Sequence, residues 1–514
     1  MAIHHEIEFE NEVCDYLGAN GWLYEADAAA HYDRKLALYP QDLISWLAET
    51  QADAWNTYQQ KNGSKAEANL FQRLREQLDK RGTLDTLRKG IEVIGVPNAL
   101  KLAEFKPTFG LNQEIISRYK SNKLRVVRQV RYSIHNENSI DLVLFLNGIP
   151  IATVELKTDN TQSIEDAIWQ YKTDRLPKQA GKTEEPLLSF PSGALVHFAV
   201  STREVQMTTK LAGPATIFLP FNKGSDPGAK NCGKGNPIPK GPGYPTDYLW
   251  KEVWERESWL EIIGRYFVAE KDKKKQIVGI IFPRYHQLVV TKKIQEAVRK
   301  DGAGKKYLVQ HSAGSGKTNS IAWTAHFLSE LHDKNNKKIF DTVLVVSDRN
   351  VIDTQLKEAL EDFERKKGVV ASISNLKGIK SEQLKEALNS DKKVVVCTIQ
   401  TFPALMKKMR ELTLEGNKRY AVIADEAHSS QAGGAADKLK KLLSQTELAE
   451  LDDGGQLDTE ILLAAEMAGR VKENAITYVA FTATPKAKTL EIFGQRPNHN
   501  EPAGVGNLPE PFHV

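Results

Sequence analysis

The feature that most constrains this fold is a glycine-rich turn between a short apolar run and a helical segment. The run Tyr307–Gln310 has the pattern of a strand, and a helix is expected to start near Asn319. Small residues in such a turn let backbone N–H groups approach phosphate oxygens, and the helix amino terminus adds positive potential. We therefore predict an ATP-binding loop formed by Gly314, Ser315, Gly316, Lys317 and Thr318. In such a loop the lysine reaches the β- and γ-phosphates and the threonine holds Mg²⁺.

A simpler interpretation of the same residues is a strand-to-helix turn that binds no nucleotide. The motif usually begins with Gly, and His311 stands at that position. The surrounding sequence favours the nucleotide site, because short apolar runs alternate with helical segments from about residue 278 onward. This alternation predicts a parallel sheet with helices on both faces. Its predicted strands are Tyr307–Gln310, Thr342–Ser347, Lys393–Thr398, Tyr420–Ala424 and Ile476–Thr482.

An acidic motif, Asp-Glu-Ala-His at residues 425–428, directly follows the apolar run Tyr420–Ala424. Asp425, at the carboxyl end of a strand, can bind the Mg²⁺ that accompanies ATP. Glu426 can orient and deprotonate the attacking water. Acidic residues also favour the first turn of an ordinary surface helix. The position of the motif after a phosphate loop in the same α/β domain favours the catalytic interpretation.

Composition excludes few classes of protein. A chain of 514 residues is too long for one core, which predicts two to four domains. A net charge of +4 does not by itself indicate a nucleic-acid partner, so any DNA surface must be a local patch. Cys14, Cys232 and Cys397 match no metal spacing and no disulfide framework, which fits a reducing cytoplasm. The apolar runs are too short to span a bilayer, so no membrane partner is expected.

In the first half of the chain, the spacing of apolar residues changes from a helical period to a strand period. Residues 34–120 are mostly helical in pattern, whereas residues 125–156 are rich in β-forming residues. Asn147-Gly148 lies between two apolar runs, which is the strongest short-range signal for a hairpin. We therefore predict an α/β domain that carries a helical insert at about residues 34–120.

Charged residues stand at the ends of this hairpin. Asp141 lies on the first strand, while Glu155 and Lys157 end the second and share a face because they are two positions apart. Two carboxylates can hold Mg²⁺ against a scissile phosphate, and a lysine can stabilise the charge that develops and position a water. Glu10 is a further candidate acid on a helix that the apolar period predicts over residues 8–19, although a solvated helix position is the simpler interpretation for it.

A solvated charged face is likewise the simpler interpretation of the three strand residues. The hairpin is apolar enough to be buried on both faces, which would place its charges at a sheet edge near a cleft. With a plain two-residue loop, Asp141 would lie opposite Val154 and on the wrong face to meet Glu155. A metal site therefore requires a register shifted by one residue. Pro150 lacks an N–H and marks the natural place for a bulge.

Over residues 282–485 the chain resembles the superfamily 2 helicases and translocases, whose motor domains are RecA-like. Four further segments occur in the order of that family, at residues 282–287, 345–349, 398–402 and 481–485. The resemblance implies ATP contacts for Arg284 and Gln287, the latter on the adenine base. It implies contacts with the phosphates of a DNA strand for Arg349 and Thr398, and coupling of hydrolysis to movement for Thr482 and Thr484.

The first half resembles the PD-(D/E)xK nucleases, although Ser139-Ile140 stand where that family has its leading proline. Together the two halves resemble the R (restriction and motor) subunit of type I restriction–modification enzymes over nearly the whole chain. The resemblance implies Mg²⁺-dependent cleavage of duplex DNA after ATP-driven translocation. It also implies partner subunits for methylation and specificity, which recognise the DNA.

One element departs from that family's pattern, which has a Gln and a Tyr separated by three residues after the ExK segment. Ala167 stands four residues before Tyr171, and Gln170 adjoins the tyrosine. Either Gln170 and Tyr171 serve in a different way, or the element is lost.

The expected organisation is an endonuclease domain at residues 1–270, a first RecA-like domain at 271–492 and a linker at 493–514. The motor motifs end at Pro485, and in the family a second motor domain follows and supplies an arginine finger. We therefore expect this chain to be an amino-terminal fragment that lacks the second motor domain and is weak or inactive as an ATPase.

Two other functions stay open at this point. The first is a DNA-repair helicase whose amino-terminal domain only binds DNA; metal-dependent cleavage that is lost on changing Asp141 would argue against it. The second is a non-catalytic assembly module whose site residues are relics; ATP binding that Lys317→Ala abolishes would argue against that.

Overall fold

The computed structural model describes most of the first 347 residues and short stretches beyond them. The described ranges are 2–107, 112–158, 162–227, 232–312, 314–347, 359–360, 370–373, 393–398, 409, 418–425, 475–483, 490, 494, 496 and 510–513. The chain forms two compact units, which divide between Tyr285 and His286. Both units are α/β, as predicted from the sequence.

The first unit contains helices α1 to α8 and strands β1 to β8. Its helices are α1 (Ala2–Ala19), α2 (Pro40–Thr50), α3 (Ala52–Asn62), α4 (Ala66–Arg81), α5 (Thr83–Lys89), α6 (Gln113–Ser121), α7 (Ile164–Thr173) and α8 (Arg256–Glu261). Its strands are β1 (Leu124–Arg131), β2 (Ser139–Leu146), β3 (Ile149–Lys157), β4 (Val196–Ser201), β5 (Val205–Thr208), β6 (Leu219–Pro220), β7 (Val268–Lys271) and β8 (Ile277–Ile281). The helical insert expected between residues 34 and 120 is confirmed by α2 to α6.

Six of these strands form one mixed sheet in the order β1-β2-β3-β4-β5-β6. Strands β1, β2 and β3 are antiparallel neighbours, whereas β4 runs parallel to β3. A parallel neighbour requires a crossover connection, and α7 lies in the segment between β3 and β4. The strand that carries Glu155 and Lys157 is therefore internal to the sheet, and every residue of β3 is buried.

The turn between β2 and β3 has the backbone that its sequence predicts. Asn147 and Gly148 both have positive φ, at 49° and 81°, as a two-residue hairpin turn requires. Asn147 is buried, and its Nδ2 donates to the carbonyl of Leu102 at 2.9 Å. A Cβ on Gly148 would lie 2.3 Å from the carbonyl oxygen of Tyr39. Glycine is needed there both for its φ and for this close approach.

The register of the hairpin shifts by one residue, as predicted. Leu146 pairs with Ile149 and Phe145 with Pro150, but Leu144 pairs with Ala152. The extra residue in β3 is a bulge directly after Pro150, where the missing N–H already interrupts the ladder. Beyond the bulge Leu142 pairs with Val154, so the next position places Asp141 opposite Glu155. The predicted meeting of these two carboxylates on one face is confirmed.

A buried ion pair attaches the helical insert to the sheet. Arg125 on β1 donates from Nε and Nη2 to the two carboxylate oxygens of Asp42 on α2, at 2.7 and 3.0 Å. The guanidinium also lies 4.4 Å from the centre of the Tyr39 ring. Both charged side chains are almost fully buried, so each requires the other.

Three details of the first unit differ from the sequence-based expectation. The aromatic pattern of residues 248–267 predicts one helix, but π-helical turns at Leu249–Val253 and Ile262–Tyr266 flank the short α8. The charged segment 270–275, expected at a domain boundary, lies in and beside the hairpin formed by β7 and β8. Because this hairpin belongs to the first unit, that unit extends to Tyr285, past the expected boundary at residue 270.

The second unit contains α9 and α10 and a parallel sheet. Helix α9 spans Tyr285–Asp301 and α10 spans Lys317–Ser329. The strands are β9 (Lys306–Gln310), β10 (Thr342–Ser347), β11 (Val370–Ile373), β12 (Val394–Thr398), β13 (Tyr420–Asp425), β14 (Ile476–Thr482) and β15 (Phe512–His513). Their order in the sheet is β11-β12-β10-β13-β14-β9-β15. All neighbouring pairs are parallel, which confirms the α/β prediction for this half.

The segment expected to be a linker at 493–514 contains a strand. Phe512 and His513 of β15 pair in parallel with Val309 and Gln310 of β9. The sequence shows no apolar period there, and two residues are too few to produce one. Across the described parts of both units, no helix combines the length and apolarity needed to cross a bilayer.

Candidate active sites

The first site is centred on Asp141, which lies near the beginning of β2. Its Oδ2 accepts a hydrogen bond from the backbone N–H of Leu156 at 2.8 Å. Its Oδ1 accepts from Nε2 of Gln129 at 3.3 Å. The contact with Leu156 depends on the bulged register of β2 and β3, because a plain ladder would place Asp141 opposite Val154 and not opposite Glu155.

Glu155 is fully buried and faces Asp141 from the neighbouring strand. Its Oε1 accepts from Nε of Arg175 at 2.7 Å. Its Oε2 is buried and accepts no hydrogen bond from the described residues. Burial, followed by the nearby charge of Asp141, holds the pKa of Glu155 well above its usual range, against the opposing effect of Arg175. The site therefore holds two repelling carboxylates, one of them with an unsatisfied oxygen.

Lys157 is also buried, and its ammonium group lies between carboxylates. Its Nζ donates to Oε1 of Glu6 at 2.6 Å and to the carbonyl of Leu156 at 2.9 Å. Burial disfavours the charged form of this lysine, but Asp141, Glu6 and Glu155 outweigh burial and raise its pKa. Lys157 is therefore held as a cation at the end of β3.

Glu10 belongs to this cluster, so the expectation that it is a solvated helix position was wrong. It is buried on α1, where its Oε2 accepts from Nε2 of Gln129 at 2.9 Å, the same amide nitrogen that contacts Asp141. Arg128 Nε lies 2.6 Å from its Oε1. Burial is the main cause of its raised pKa. Helix α1 therefore contributes Glu6 and Glu10, four residues apart on one helix face, to the site.

Sequence reasoning missed the two arginines and the glutamine of this cluster. Arg175 lies two residues beyond the end of α7, and Arg128 and Gln129 lie on β1. The available signal was weak, because polar residues in a strand or after a helix are common on any surface. Their position against a carboxylate depends on the pairing of β1 with β2 and on the crossover through α7.

The side chains of Gln170 and Tyr171, near the end of α7, lie in different environments. The Oε1 of Gln170 is buried and accepts no hydrogen bond from the described residues. Tyr171 is fully buried, and its hydroxyl lies 2.8 Å from Oγ1 of Thr153, which in turn lies 2.7 Å from Nδ1 of His197. Tyr171 thus packs in the core beside β3 and β4, and its hydroxyl makes no hydrogen bond to the charged residues of the site.

The charged cluster offers two carboxylates for a divalent cation. No group of three or more His, Cys, Asp or Glu side chains suited to a metal is present among the described residues. Asp141 and Glu155 nevertheless fit such an ion. A cation would satisfy the open Oε2 of Glu155 and relieve the repulsion between the two groups. Mg²⁺ commonly takes one or two carboxylates and completes its shell with water and substrate oxygens.

The second site is the turn between β9 and α10, which has the predicted strand–loop–helix form. Gly314 and Gly316 have positive φ, at 75° and 85°, which glycine adopts at little cost. Helix α10 begins at Lys317, so its first N–H groups border the loop. Thr318, the expected Mg²⁺ ligand, lies in the first turn of that helix.

The structure brings Lys317 and Asp425 together, as the sequence predicts. Nζ of Lys317 lies 3.7 Å from Oδ1 of Asp425, and both side chains are mostly buried. They meet because β9 and β13 are parallel, which places the carboxyl ends of both strands at the same edge of the sheet. This edge can hold a phosphate group beside the lysine and a Mg²⁺ ion beside the aspartate.

Gln287, expected on the adenine base, contacts the phosphate loop in the structure. Its buried Nε2 donates to the carbonyl of Gly316 at 2.9 Å. The approach is so close that a Cβ on Gly316 would lie 2.5 Å from this nitrogen. Arg284, the other expected ATP contact, is half-buried and lies directly before α9. Contact of either side chain with adenine stays a prediction.

The remaining candidates lie partly outside the described residues. Glu426, Arg349 and Thr484 are among the residues that the structure does not describe. Thr398 ends β12, and only its backbone is described. Thr482 ends β14, where its buried hydroxyl has no hydrogen-bond partner among the described residues.

Family models match most of the chain in two consecutive pieces. Residues 42–216 match the model of the type I restriction enzyme R protein N terminus, and residues 286–498 match the SWI2/SNF2 ATPase. The second match begins at His286, where the second compact unit also begins.

The curated relatives are named as endonuclease subunits of type I restriction enzymes. A Methanocaldococcus jannaschii protein named as a type I restriction enzyme endonuclease subunit, MjaVIIIP, is 26% identical over 85% of this chain and 41% of its own length. The type I restriction enzyme SauMSSORF170P endonuclease subunit of Staphylococcus aureus is 26% identical over 61% of this chain and 30% of its own length. The chain thus spans about two fifths of the first curated relative and less than a third of the next two.

A solved structure of a nuclease-deletion mutant of the Type ISP restriction–modification enzyme LlaGI, in complex with a DNA substrate mimic, is also similar. It is 16% identical over 39% of this chain and 17% of that chain, with a TM-score of 0.25.

Proposed function

Because this chain belongs to the family of type I restriction enzyme R subunits, we propose that it supplies the nuclease and the first motor domain of such a complex. In this proposal the complex moves along duplex DNA with ATP and then cleaves the DNA with Mg²⁺. Methylation and specificity subunits are its partners, and they carry the sequence recognition. The cytoplasm, where duplex DNA and ATP are present, is the proposed place of action.

The observation that carries the nuclease proposal is the bulge in β3. A hairpin that served only the core would need no extra residue, because its two-residue turn already sets a regular ladder. The bulge turns Asp141 toward the N–H of Leu156 and opposite Glu155. Bulges occur frequently beside active sites, where they redirect a side chain. Here the redirected side chain of Asp141, which is half-buried, lies opposite the buried Glu155 of the neighbouring strand.

Each residue of the cluster has a distinct part in the proposed cleavage. Asp141 and Glu155 would hold Mg²⁺, which supplies Lewis-acid stabilisation of the phosphate oxygens and a more acidic bound water. Lys157, held as a cation, would stabilise charge on the scissile phosphate and position the attacking water. Arg175 orients Glu155 by binding its Oε1, which leaves Oε2 as the oxygen available for the cation.

The motor proposal depends on the pair formed by Lys317 and Asp425. A lysine beside an aspartate at one sheet edge provides a positive charge for the phosphates and a carboxylate for Mg²⁺. In the proposed reaction Glu426 orients the water that attacks the γ-phosphate. ATP would supply the driving force for movement, and its hydrolysis would be separable from DNA cleavage because the two sites lie in different units.

The test is a cleavage and ATPase assay on the full-length assembly, with its methylation and specificity subunits. Asp141→Ala, Glu155→Ala and Lys157→Ala should each abolish Mg²⁺-dependent cleavage and leave DNA-stimulated ATP hydrolysis unchanged. Glu165→Ala, an exposed acid on the neighbouring α7, is the matched control and should leave both activities intact.

The motor half of the proposal is tested in the same assay. Lys317→Ala should abolish hydrolysis and any cleavage that depends on translocation. Cleavage that survives in all three nuclease variants would refute the nuclease assignment. Loss of ATPase activity in folded nuclease variants would refute the separation of the two activities.

A further inference from the structure

His311 occupies the position at which the phosphate-loop motif usually has Gly, and it is buried at the end of β9. Its ring contacts two elements at once. Nδ1 is hydrogen-bonded to the hydroxyl of Ser315 in the loop, and Nε2 lies 3.0 Å from the hydroxyl of Ser320 in α10. Its backbone N–H donates to the carbonyl of Thr482 on β14 at 2.7 Å. A glycine could make only the backbone contact.

The partners of the ring engage both of its nitrogens. The hydroxyl of Ser315 donates to the carbonyl of Ser312, so it accepts a hydrogen bond from Nδ1–H of His311. Nε2 is hydrogen-bonded to the hydroxyl of Ser320, which can act as donor or acceptor. These two contacts hold the ring in one orientation.

The contacts of the loop carbonyls point to the same role. The carbonyl of Ser315 lies 3.0 Å from Nε2 of His286, and the carbonyl of Gly316 accepts from Gln287 at 2.9 Å. A phosphate-binding loop works by presenting N–H groups, and carbonyl oxygens near the phosphate would repel it. Side chains that engage these carbonyls keep the loop in a binding conformation before nucleotide arrives.

We propose that His311 is a positioning residue of the nucleotide site, which it serves by fixing Ser315 and thereby the phosphate loop. The inference rests on the proposed ATP-binding function and adds a residue to it. His311 acts through its hydrogen bond to Ser315, not through contact with the nucleotide. Loss of that bond lets the loop sample other conformations, and nucleotide affinity falls by the amount needed to restore the bound one.

Two substitutions of His311 separate the two ring contacts. His311→Asn keeps a donor near the position of Nδ1, so it retains the bond to Ser315 and loses the bond to Ser320. His311→Gln places its amide near Nε2 and does the reverse. A neutral hydrogen bond changes an equilibrium by about 3- to 10-fold. We therefore expect His311→Gln to weaken nucleotide binding by that factor and His311→Asn to stay within about twofold of the wild type.

The measurement is a titration of the 514-residue chain with a fluorescent ATP analogue in Mg²⁺, with a thermal melt for every variant. Ser315→Ala should weaken binding as much as His311→Gln does, and combining the two should add nothing further. Ser315→Ala also tests the contact if a His311 variant fails to fold. Lys317→Ala is the reference for binding at the phosphate loop.

The outcomes distinguish this inference from the proposed function. Equal weakening in His311→Asn and His311→Gln, in step with a lowered melting temperature, would make His311 a packing residue and overturn the inference. So would additive effects of His311→Gln and Ser315→Ala. Nucleotide binding that requires Lys317 but is unchanged by substitution of His311 or Ser315 would overturn this inference and leave the proposed ATP site intact. Wild-type binding that does not depend on Lys317 would refute the proposed ATP site and the inference with it.

Discussion

The buried network beneath the first site allows a quantitative prediction. His197 on β4 is fully buried, and its Nδ1 lies 2.7 Å from Oγ1 of Thr153, on the strand that carries Glu155. Burial lowers the pKa of His197 from 6.5 to about 3 in the folded chain. The unfolded chain takes up the proton first as the pH falls. The stability that neutral His197 contributes is therefore present above pH 6.5 and is lost as the pH falls toward about 3.

The size of this loss follows from the two pKa values. Between about pH 7 and pH 5 the folded imidazole stays neutral while the unfolded one becomes protonated, which costs about 2 kcal/mol of unfolding free energy. His197→Asn keeps an amide near the position of Nδ1 and removes the titrating group. We expect its stability to fall by about 2 kcal/mol less than that of the wild type over this range.

The assay is denaturant unfolding of the whole chain at several pH values, followed by tryptophan fluorescence. Seven of the eight tryptophans lie in the first unit, so the signal reports mainly on the unit that contains His197. Tyr171→Phe is the control, because it removes a hydroxyl from the same network and keeps the imidazole. It should retain the full pH dependence. A His197→Asn chain whose stability falls as steeply as that of the wild type would refute the reasoning.

Two further predictions concern the hairpin and its charged cluster. Gly148→Ala should destabilise the first unit by more than about 2 kcal/mol in a denaturant titration, because its Cβ would collide with a backbone carbonyl. Gly181→Ala is the control: this glycine also has a positive φ but lies in open space, so the same titration should show a loss of only about 1 kcal/mol. Arg175→Met should lower the melting temperature in metal-free buffer, because it leaves the charge of Glu155 buried and unpaired, and adding Glu155→Gln should recover most of the loss. An Arg175→Met chain that melts at the wild-type temperature would show that the ion pair contributes nothing.

The local features of this protein could be predicted because their causes are close in sequence. The turn at Asn147-Gly148 needs two residues of positive φ, and those two residue types supply them. The bulge was predictable for two reasons. Pro150 cannot donate to the ladder, and a metal site requires that the two carboxylates share a face. The strands of the second unit follow from short apolar runs, and their parallel order follows from the helices between them.

The charged cluster shows where sequence reasoning ends. Glu10 on an amphipathic helix has the pattern of a solvated acid, and only the packing of α1 near β1 and β3 brings it to Gln129 and Arg128. Arg175 follows a helix end, a position where basic residues are common on any surface. Its bond to Glu155 exists because the crossover through α7 returns the chain beside β3. Charge burial depends on neighbours that are far apart in sequence, so no local pattern reveals it.

The sequence by itself determined the two α/β units, the helical insert and the phosphate loop, and it gave the register that a metal site at Asp141 and Glu155 requires. These follow from backbone rules that act over a few residues: side-chain period, turn conformation and the missing N–H of proline. Tertiary structure alone decided that Gln287 holds the phosphate loop, that His311 joins the loop to α10 and β14, and that β15 extends the sheet. The physical reason is that the packing of whole helices and strands decides which distant segments form hydrogen bonds. A single sequence position contributes too little to that packing for its partner to be predicted.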